Sequence, residues 1–243
     1  MLAESEGLRF WFNLRDRTIG LAIAQGCYEP DVTRVVRAVV KRGMNCLDLG
    51  ANLGYFTVLL GTIVGRTGRV YAFEPFPSNC DLLSRNIREN HLEAVVQVHR
   101  IAAYDKDGDC TLHFRADDLN DNYGSMFVAE DQGMTAGLAS LKCTGRRVEE
   151  VLPSDRPIHF VKMDIEGGEV RALRGMSRIL ERDHPIIVAE LNEQGLVNAG
   201  HKPEELITTL RSFGYDILDI TTQSPLVLRG NRSEYAFTNL LCT

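Results

Sequence analysis

The chain predicts an α/β fold, a doubly wound, mostly parallel sheet with helices on both faces. Three observations carry this. Short apolar runs of strand length alternate with stretches whose apolar residues recur at helical spacing. Turn residues fall between them, as in the segment LDLGANLGYF at 47–56. The same alternation resumes after one irregular region, so a single sheet can accommodate both halves of the 243 residues.

Val32, Val35, Val36 and Val39 share a helical face, and Asn45 to Leu49 follows as a buried strand. Phe56, Leu59, Leu60 and Ile63 repeat the helical period, GRTG at 65–68 turns the chain, and RVYAFEP is a second strand. A helix is expected from Ser78, an N-cap residue, to Asn90, then a third strand from Val95 to Ala102. The rhythm breaks over 104–148, where DKDGD predicts a hairpin turn and the whole stretch an insertion over a sheet edge or the site. It resumes with strand 158–163, helix 168–181, strand 186–191, helix 203–213 opened by Pro203, a strand from Tyr215 to Ile220 and a last strand from Tyr235 to Leu241. No linker or repeat interrupts this order. One domain over 1–243 is expected, with 1–43 as an N-terminal helical segment.

Composition narrows the function classes. Acids outnumber bases 33 to 27, for a net charge of -6, which weighs against a nucleic-acid backbone as partner. Six cysteines lie scattered without a C-x-x-C pair and read as reduced thiols. The opening MLAESEGLRFWFNLRD is broken by charges, and no apolar run is long enough to span a bilayer. A cytoplasmic location with no membrane partner is the expectation.

In a doubly wound sheet, ligands sit beyond the carboxyl ends of the strands at the point where strand order reverses. Asp48 to Gly54, Glu74, Ala102 with Ala103, and Asp164 with Glu166 should therefore converge. A dinucleotide turn would want glycine at 50, 52 and 55, which hold Gly50, Asn52 and Tyr55. A phosphate-binding loop would want Lys after its last glycine, and Gly54 is followed by Tyr55. An acid at the strand end also repels a bare anion. S-adenosylmethionine reverses that sign, since it carries an amine, a sulfonium and no phosphate. Its ribose offers two hydroxyls to a carboxylate, and Glu74 stands where a ribose-binding acid belongs.

CLDLGANLGYFTVLL, VYAFEPFPSN, HRIAAYDKDG, FVKMDIEGGEVRALRGM and PIIVAELN occur in an order and spacing that resembles the FkbM-type family of S-adenosylmethionine-dependent methyltransferases, over roughly residues 26–241. The resemblance implies a Rossmann-like class I fold of seven strands with the last antiparallel, and methylation of a hydroxyl oxygen on a small molecule or sugar. Through it, Asp48, Gly50, Ala51, Asn52, Gly54 and Tyr55 form the methionine-side loop. Glu74 becomes the ribose acid with Pro75 beside it, and Ala102 and Ala103 lie at the adenine. It also places Lys162, Asp164, Glu166 and Glu169 at the fourth strand, Tyr28 and Glu29 before the first helix, and YGSM around Ser125 on the substrate side.

The acids at 164, 166 and 169 admit three readings: helix-dipole stabilisation, a divalent metal, or catalysis. Catalysis is favoured for Asp164, helped by Glu166, with Asp164 also touching the cofactor; Glu169 reads as structural. Lys162 would pair with one of these acids. None of the six histidines shows ligand spacing, and Trp11, with Phe10 and Phe12, reads as packing of the N-terminal segment. Two other functions compete: a nicotinamide-dependent oxidoreductase, and a cofactor-binding module that acts through a partner. The acceptor's identity and the oligomeric state stay open.

Overall fold

A computed structural model describes residues 1–13, 16, 19–114, 127–128, 137–226 and 237–243. The first element corrects an expectation. Instead of a helical segment over all of 1–43, the chain opens on a hairpin, β1 (Leu2–Ser5) and β2 (Leu8–Trp11), turned by Glu6 and Gly7, both at positive φ. The cause is a period of two: Leu8, Phe10 and Phe12 are buried while Arg9 between them is exposed. Helices begin only at α1 (Ile19–Ala24) and α2 (Pro30–Val39), the latter with proline in its first turn.

Then comes the alternation: β3 (Asn45–Leu49), α3 (Tyr55–Val64), β4 (Arg69–Phe73), α4 (Pro77–Glu89) and β5 (Val96–His99). The expected third strand, Val95 to Ala102, splits after His99. Its second part is β6 (Ala102–Tyr104), which leaves the main sheet to join β7 (Gly108–Phe114), β8 (Phe127–Val128) and β9 (Ala139–Arg147) in a separate four-stranded sheet of order β6-β9-β7-β8. DKDGD is therefore no hairpin turn, because β6 and β7 flank β9 on opposite edges rather than pairing together.

After α5 (Val148–Val151), the chain returns through β10 (Phe160–Met163), α6 (Glu169–Arg174), α7 (Ser177–Asp183), β11 (Ile186–Asn192), α8 (Glu193–Asn198), α9 (Pro203–Ser212), β12 (Ile217–Asp219), β13 (Ser224–Pro225) and β14 (Phe237–Cys242). One helix over 168–181 becomes two, interrupted where Met176 leaves helical dihedrals (φ -132, ψ 23), and Gly175 before it packs against the end of β6. A Cβ there would lie 1.8 Å from the Tyr104 carbonyl oxygen.

The main sheet has the order β13-β12-β14-β11-β10-β3-β4-β5. Seven strands form its body, with two-residue β13 as an added edge, and β14 runs antiparallel to both neighbours. Strand order reverses between β3 and β10, which pair in parallel with Lys162 opposite Asp48. Leu47, Leu49, Val161 and Met163 point into the core under α6, α7 and α9; Cys46, Val70, Phe160 and Val188 point toward α2, α3 and α4. Asp48 and Lys162 lie on that second face, between buried neighbours, which makes them costly residues to keep there.

Candidate active site

The strand ends converge as the topology demands, and glycine at 50 is the device that closes them. Gly50 has φ +83, and a Cβ on it would stand 1.8 Å from the Asp164 carbonyl oxygen, so the turn and the end of β10 can touch only without a side chain. The amides of Gly50 and Ala51 both donate to the Phe73 carbonyl oxygen at 3.0 Å, tying the turn to β4. Asn52, at φ 49, and Gly54, at φ 98, complete it and start α3.

Glu74 is 5% exposed and fastened at both oxygens. Oε2 accepts from the Asn52 amide at 2.8 Å; Oε1 accepts from the Phe76 amide at 2.9 Å and from Asn79 Nδ2 at 3.4 Å. A carboxylate has about four acceptor positions, so capacity for a ligand remains. Burial pushes its pKa up to about 7 against the lowering effect of those donors. With Gly50, Asn52, Ala102, Ala103 and Asp164, Glu74 lines a cleft of about 640 Å³, walled by Phe73 and Leu112.

A second cleft of about 760 Å³ shares Gly50, Asn52, Asp164 and Glu166 with the first, and adds Tyr28, Glu29, Asp48, Tyr55, Lys162 and Glu190. Acids dominate it. Asp48, buried, accepts from the Thr57 hydroxyl, and desolvation holds its pKa up near 6. Lys162 Nζ is 3.2 Å from Asp164 Oδ2, 3.9 Å from Glu29 Oε2 and 4.9 Å from the Phe56 ring centre. Burial would push that ammonium toward neutrality, but Asp164, Glu29, Glu190 and Asp48 together keep its pKa above the ordinary lysine value. Glu166, at φ 53, accepts from Asn192 Nδ2 at 3.1 Å, and burial with the Asp164 charge raises its pKa to about 8. Glu190 is pushed up to about 10, by burial first and then by Asp164 and Glu166.

Of the residues singled out in the sequence, Asp48, Gly50, Ala51, Asn52, Tyr55, Glu74, Pro75, Ala102, Ala103, Lys162, Asp164 and Glu166 line one cleft or the other, as do Tyr28 and Glu29. Gly54 lies beneath them, where a Cβ would come 2.6 Å from Leu83 Cδ1. Ala102 and Ala103 reach the cleft from the second sheet, not from the end of a third main-sheet strand. Glu169 turns away to accept from the Ile165 amide at 3.0 Å, which holds the loop after β10. YGSM around Ser125 falls outside the described residues. Sequence reasoning missed Glu190, Phe76, Asn79 and Leu112. An acid ending the apolar run IIVAE in the strand beside β10 was the available signal for Glu190.

A seven-stranded body with its last strand reversed, and a carboxylate at the tip of the second strand in place of a phosphate loop, define a class I S-adenosylmethionine-dependent methyltransferase fold. Residues 48–217 match the family model described as the methyltransferase FkbM domain, and the chain belongs to that family. Its sequence is 26% identical to hexuronic acid methyltransferase AglP of Haloferax volcanii over 182 residues, covering 75% of this chain and 67% of that protein. It is 41% identical to a protein-L-isoaspartate O-methyltransferase of Caenorhabditis elegans over 51 residues, 21% of this chain and 23% of the relative. The crystal structure of methyltransferase FkbM from Methylobacillus flagellatus KT superposes with a TM-score of 0.51 at 17% identity, covering 92% of this chain and 52% of the other. The chain thus spans between about a quarter and two thirds of the curated relatives it matches.

The residues fit S-adenosylmethionine. Among the described residues the first cleft offers the buried Glu74 carboxylate, with acceptor capacity left for a diol, and neither Lys nor Arg lines it to favour a phosphate. Among the described residues, no helix is long and apolar enough to cross a membrane.

Proposed function

We propose that the chain transfers a methyl group from S-adenosylmethionine to a hydroxyl oxygen of a small molecule or sugar, in the cytoplasm. The observation that carries this reading is the Glu74 carboxylate, fixed by two backbone amides at the floor of a cleft that adjoins a second, acid-rich one. The relative named for hexuronic acid methylation favours a carbohydrate acceptor.

When bound, the cofactor supplies an electrophilic methyl group on a positively charged sulfur. Glu74 takes the ribose hydroxyls with the lone pairs its backbone partners leave, and Ala102 and Ala103 leave room for the flat base. The turn at 50–54, with Asp48 behind it, faces the amino-acid end. Holding acceptor and methyl in line is the chief work left to the protein, worth up to about 7 to 11 kcal/mol of the barrier. Asp164, anchored by Lys162 and helped by Glu166, orients the acceptor hydroxyl and takes its proton. A base of that kind adds about 10²- to 10⁴-fold.

Parallel calorimetric titrations with S-adenosylmethionine and NAD, followed by transfer of a tritiated methyl from the cofactor to an extract of small molecules, test the reading. Binding of the first ligand alone, with label in a hydroxylated product, is expected. Asp164→Asn should lower turnover by about 10²-fold or more while the cofactor still binds. NAD binding in its place, or near wild-type turnover in that variant, would overturn the assignment.

A further inference from the structure

We propose that Asp164, Glu166 and Glu190 bind one divalent cation of the oxygen-preferring class, Ca²⁺, Mn²⁺ or Mg²⁺, where the two clefts meet. One carboxylate oxygen from each of the three lies within 4.8 Å of the other two. Oxygens facing each other across a bound ion are separated by twice the metal–oxygen distance, about 4.6 to 5.2 Å for Ca²⁺ and about 4.0 to 4.2 Å for Mg²⁺. The triad therefore closes on one ion with side-chain adjustments alone. Its donors are all hard oxygens, which favours these ions over zinc or copper.

A second observation is independent of the clustering. Glu190 is 7% exposed, its Oε2 is buried without a hydrogen-bond partner, and it lines the acid-rich cleft. Other buried acids of this region are more fully partnered: Glu74 accepts from backbone amides at both oxygens, and Asp48 accepts from a hydroxyl. Glu169, whose Oε2 is also unpartnered, holds the Ile165 amide through Oε1 and lines neither cleft. A strand-end carboxylate kept for structure would be partnered as Glu74 is, since an unpaired buried acceptor is costly. Register explains the aim. Met163 pairs with Ala189 across the parallel strands β10 and β11, so Asp164 and Glu190 are the next residues along the same edge, and the loop brings Glu166 over them.

Charge completes the case. Glu29, Asp48, Asp164, Glu166 and Glu190 face Lys162, the single ammonium among the described residues lining the clefts, and its contacts are to Asp164 and Glu29. Among the described residues neither Glu166 nor Glu190 forms an ion pair, and Lys162 acts on both only as a more distant charge. An ion there would hold two oxygens of a hydroxylated or carboxylated acceptor beside the Asp164 side chain, which would let an acidic cleft accept a polyol or uronic acid. That use rests on the methyl-transfer reading; the binding of the ion does not.

The test is Mn²⁺ binding to the full chain without cofactor or acceptor, read from the electron paramagnetic resonance signal of free Mn²⁺ and from thermal unfolding. Expected are one saturable Mn²⁺ per chain, displacement by Ca²⁺ or Mg²⁺, and a raised unfolding temperature. Glu190→Gln and Glu166→Gln should each weaken binding by about tenfold or more. Circular dichroism confirms that each variant is folded, and Glu166→Gln, at a partly exposed residue, carries the test should Glu190→Gln fail to fold. No saturable binding up to about 5 mM, weaker than the weakest physiological Ca²⁺ modules, overturns the proposal. Binding that the folded variants leave unchanged overturns it equally, and protons then compensate these acids. Failure of S-adenosylmethionine to bind would leave this result standing.

Discussion

In the proposed reading, Glu74 would join the fold to the cofactor through one proton. In the free protein burial holds its pKa near 7, whereas the unfolded chain returns it to the ordinary value of 4.5. The native state therefore retains a proton that the unfolded chain releases. The stabilisation this gives is complete below about pH 4.5 and is lost as pH rises through about 7, a contribution on the order of 3 kcal/mol. A ribose diol donates to the charged carboxylate and favours it, so cofactor binding should release part of a proton near pH 6.5. Titration calorimetry in two buffers of different ionisation enthalpy reads that release directly. Wild type should show a buffer-dependent enthalpy that Glu74→Gln abolishes; buffer independence in wild type would remove Glu74 from the ribose site. Gly50, by contrast, acts without any titration, since its role is to be absent where the Asp164 carbonyl oxygen passes.

At the level of elements, the N-terminal hairpin shows where local pattern and tertiary support part company. Phe10 is fully buried and stacks on Tyr55 at 5.3 Å; Tyr55 in turn meets Tyr28 edge to face at 5.0 Å and lines the acid-rich cleft. The Trp11 amide donates to Asn86 Oδ1 at 2.6 Å and the Arg85 guanidinium lies 3.4 Å over its ring, so the hairpin is clamped to α4. Phe10→Ala should destabilise the protein by about 3 to 5 kcal/mol in urea unfolding and weaken cofactor binding as Tyr55 loses its support. Unchanged affinity in the folded variant would confine the hairpin to structure. Its strands were not legible in the sequence, because four-residue strands divided by a two-residue turn leave too few repeats to register a period of two. The central strands were legible, since β3, buried at all five positions, reads as a short apolar run opened by Asn45 and interrupted by Asp48. The break between β5 and β6 was hidden, because parallel pairing of Ala102–Tyr104 with Gly145–Arg147 depends on residues about forty positions away. The site divides in the same way. Acids next to glycine turns announced themselves, whereas Glu190 looked like part of a strand until its neighbour β10 was placed beside it.

Among the described residues the two larger cores lie on either side of the main sheet, and a smaller cluster of Phe76, Leu112 and Phe114 lies at the second sheet. The clefts open where the parallel strands end. The glycine turn belongs to the β3–α3 side, Ala102 and Ala103 to the second sheet, and the acids to the β10 and β11 ends. A ligand that touches all three ties together parts of the chain that the sheet alone holds at one edge, and so its binding energy becomes folding energy. At about one hundred times its dissociation constant, S-adenosylmethionine should stabilise the native state by about 2.7 kcal/mol. For a chain of this size that corresponds to a rise of about 5 to 10 °C in unfolding temperature. Differential scanning fluorimetry across a cofactor series measures it, with NAD as the comparison and Glu74→Gln as the variant in which the rise should shrink. A full rise in that variant would mean that the cofactor is held without the β4 tip, and an equal rise with NAD would mean that the clefts do not select against a pyrophosphate.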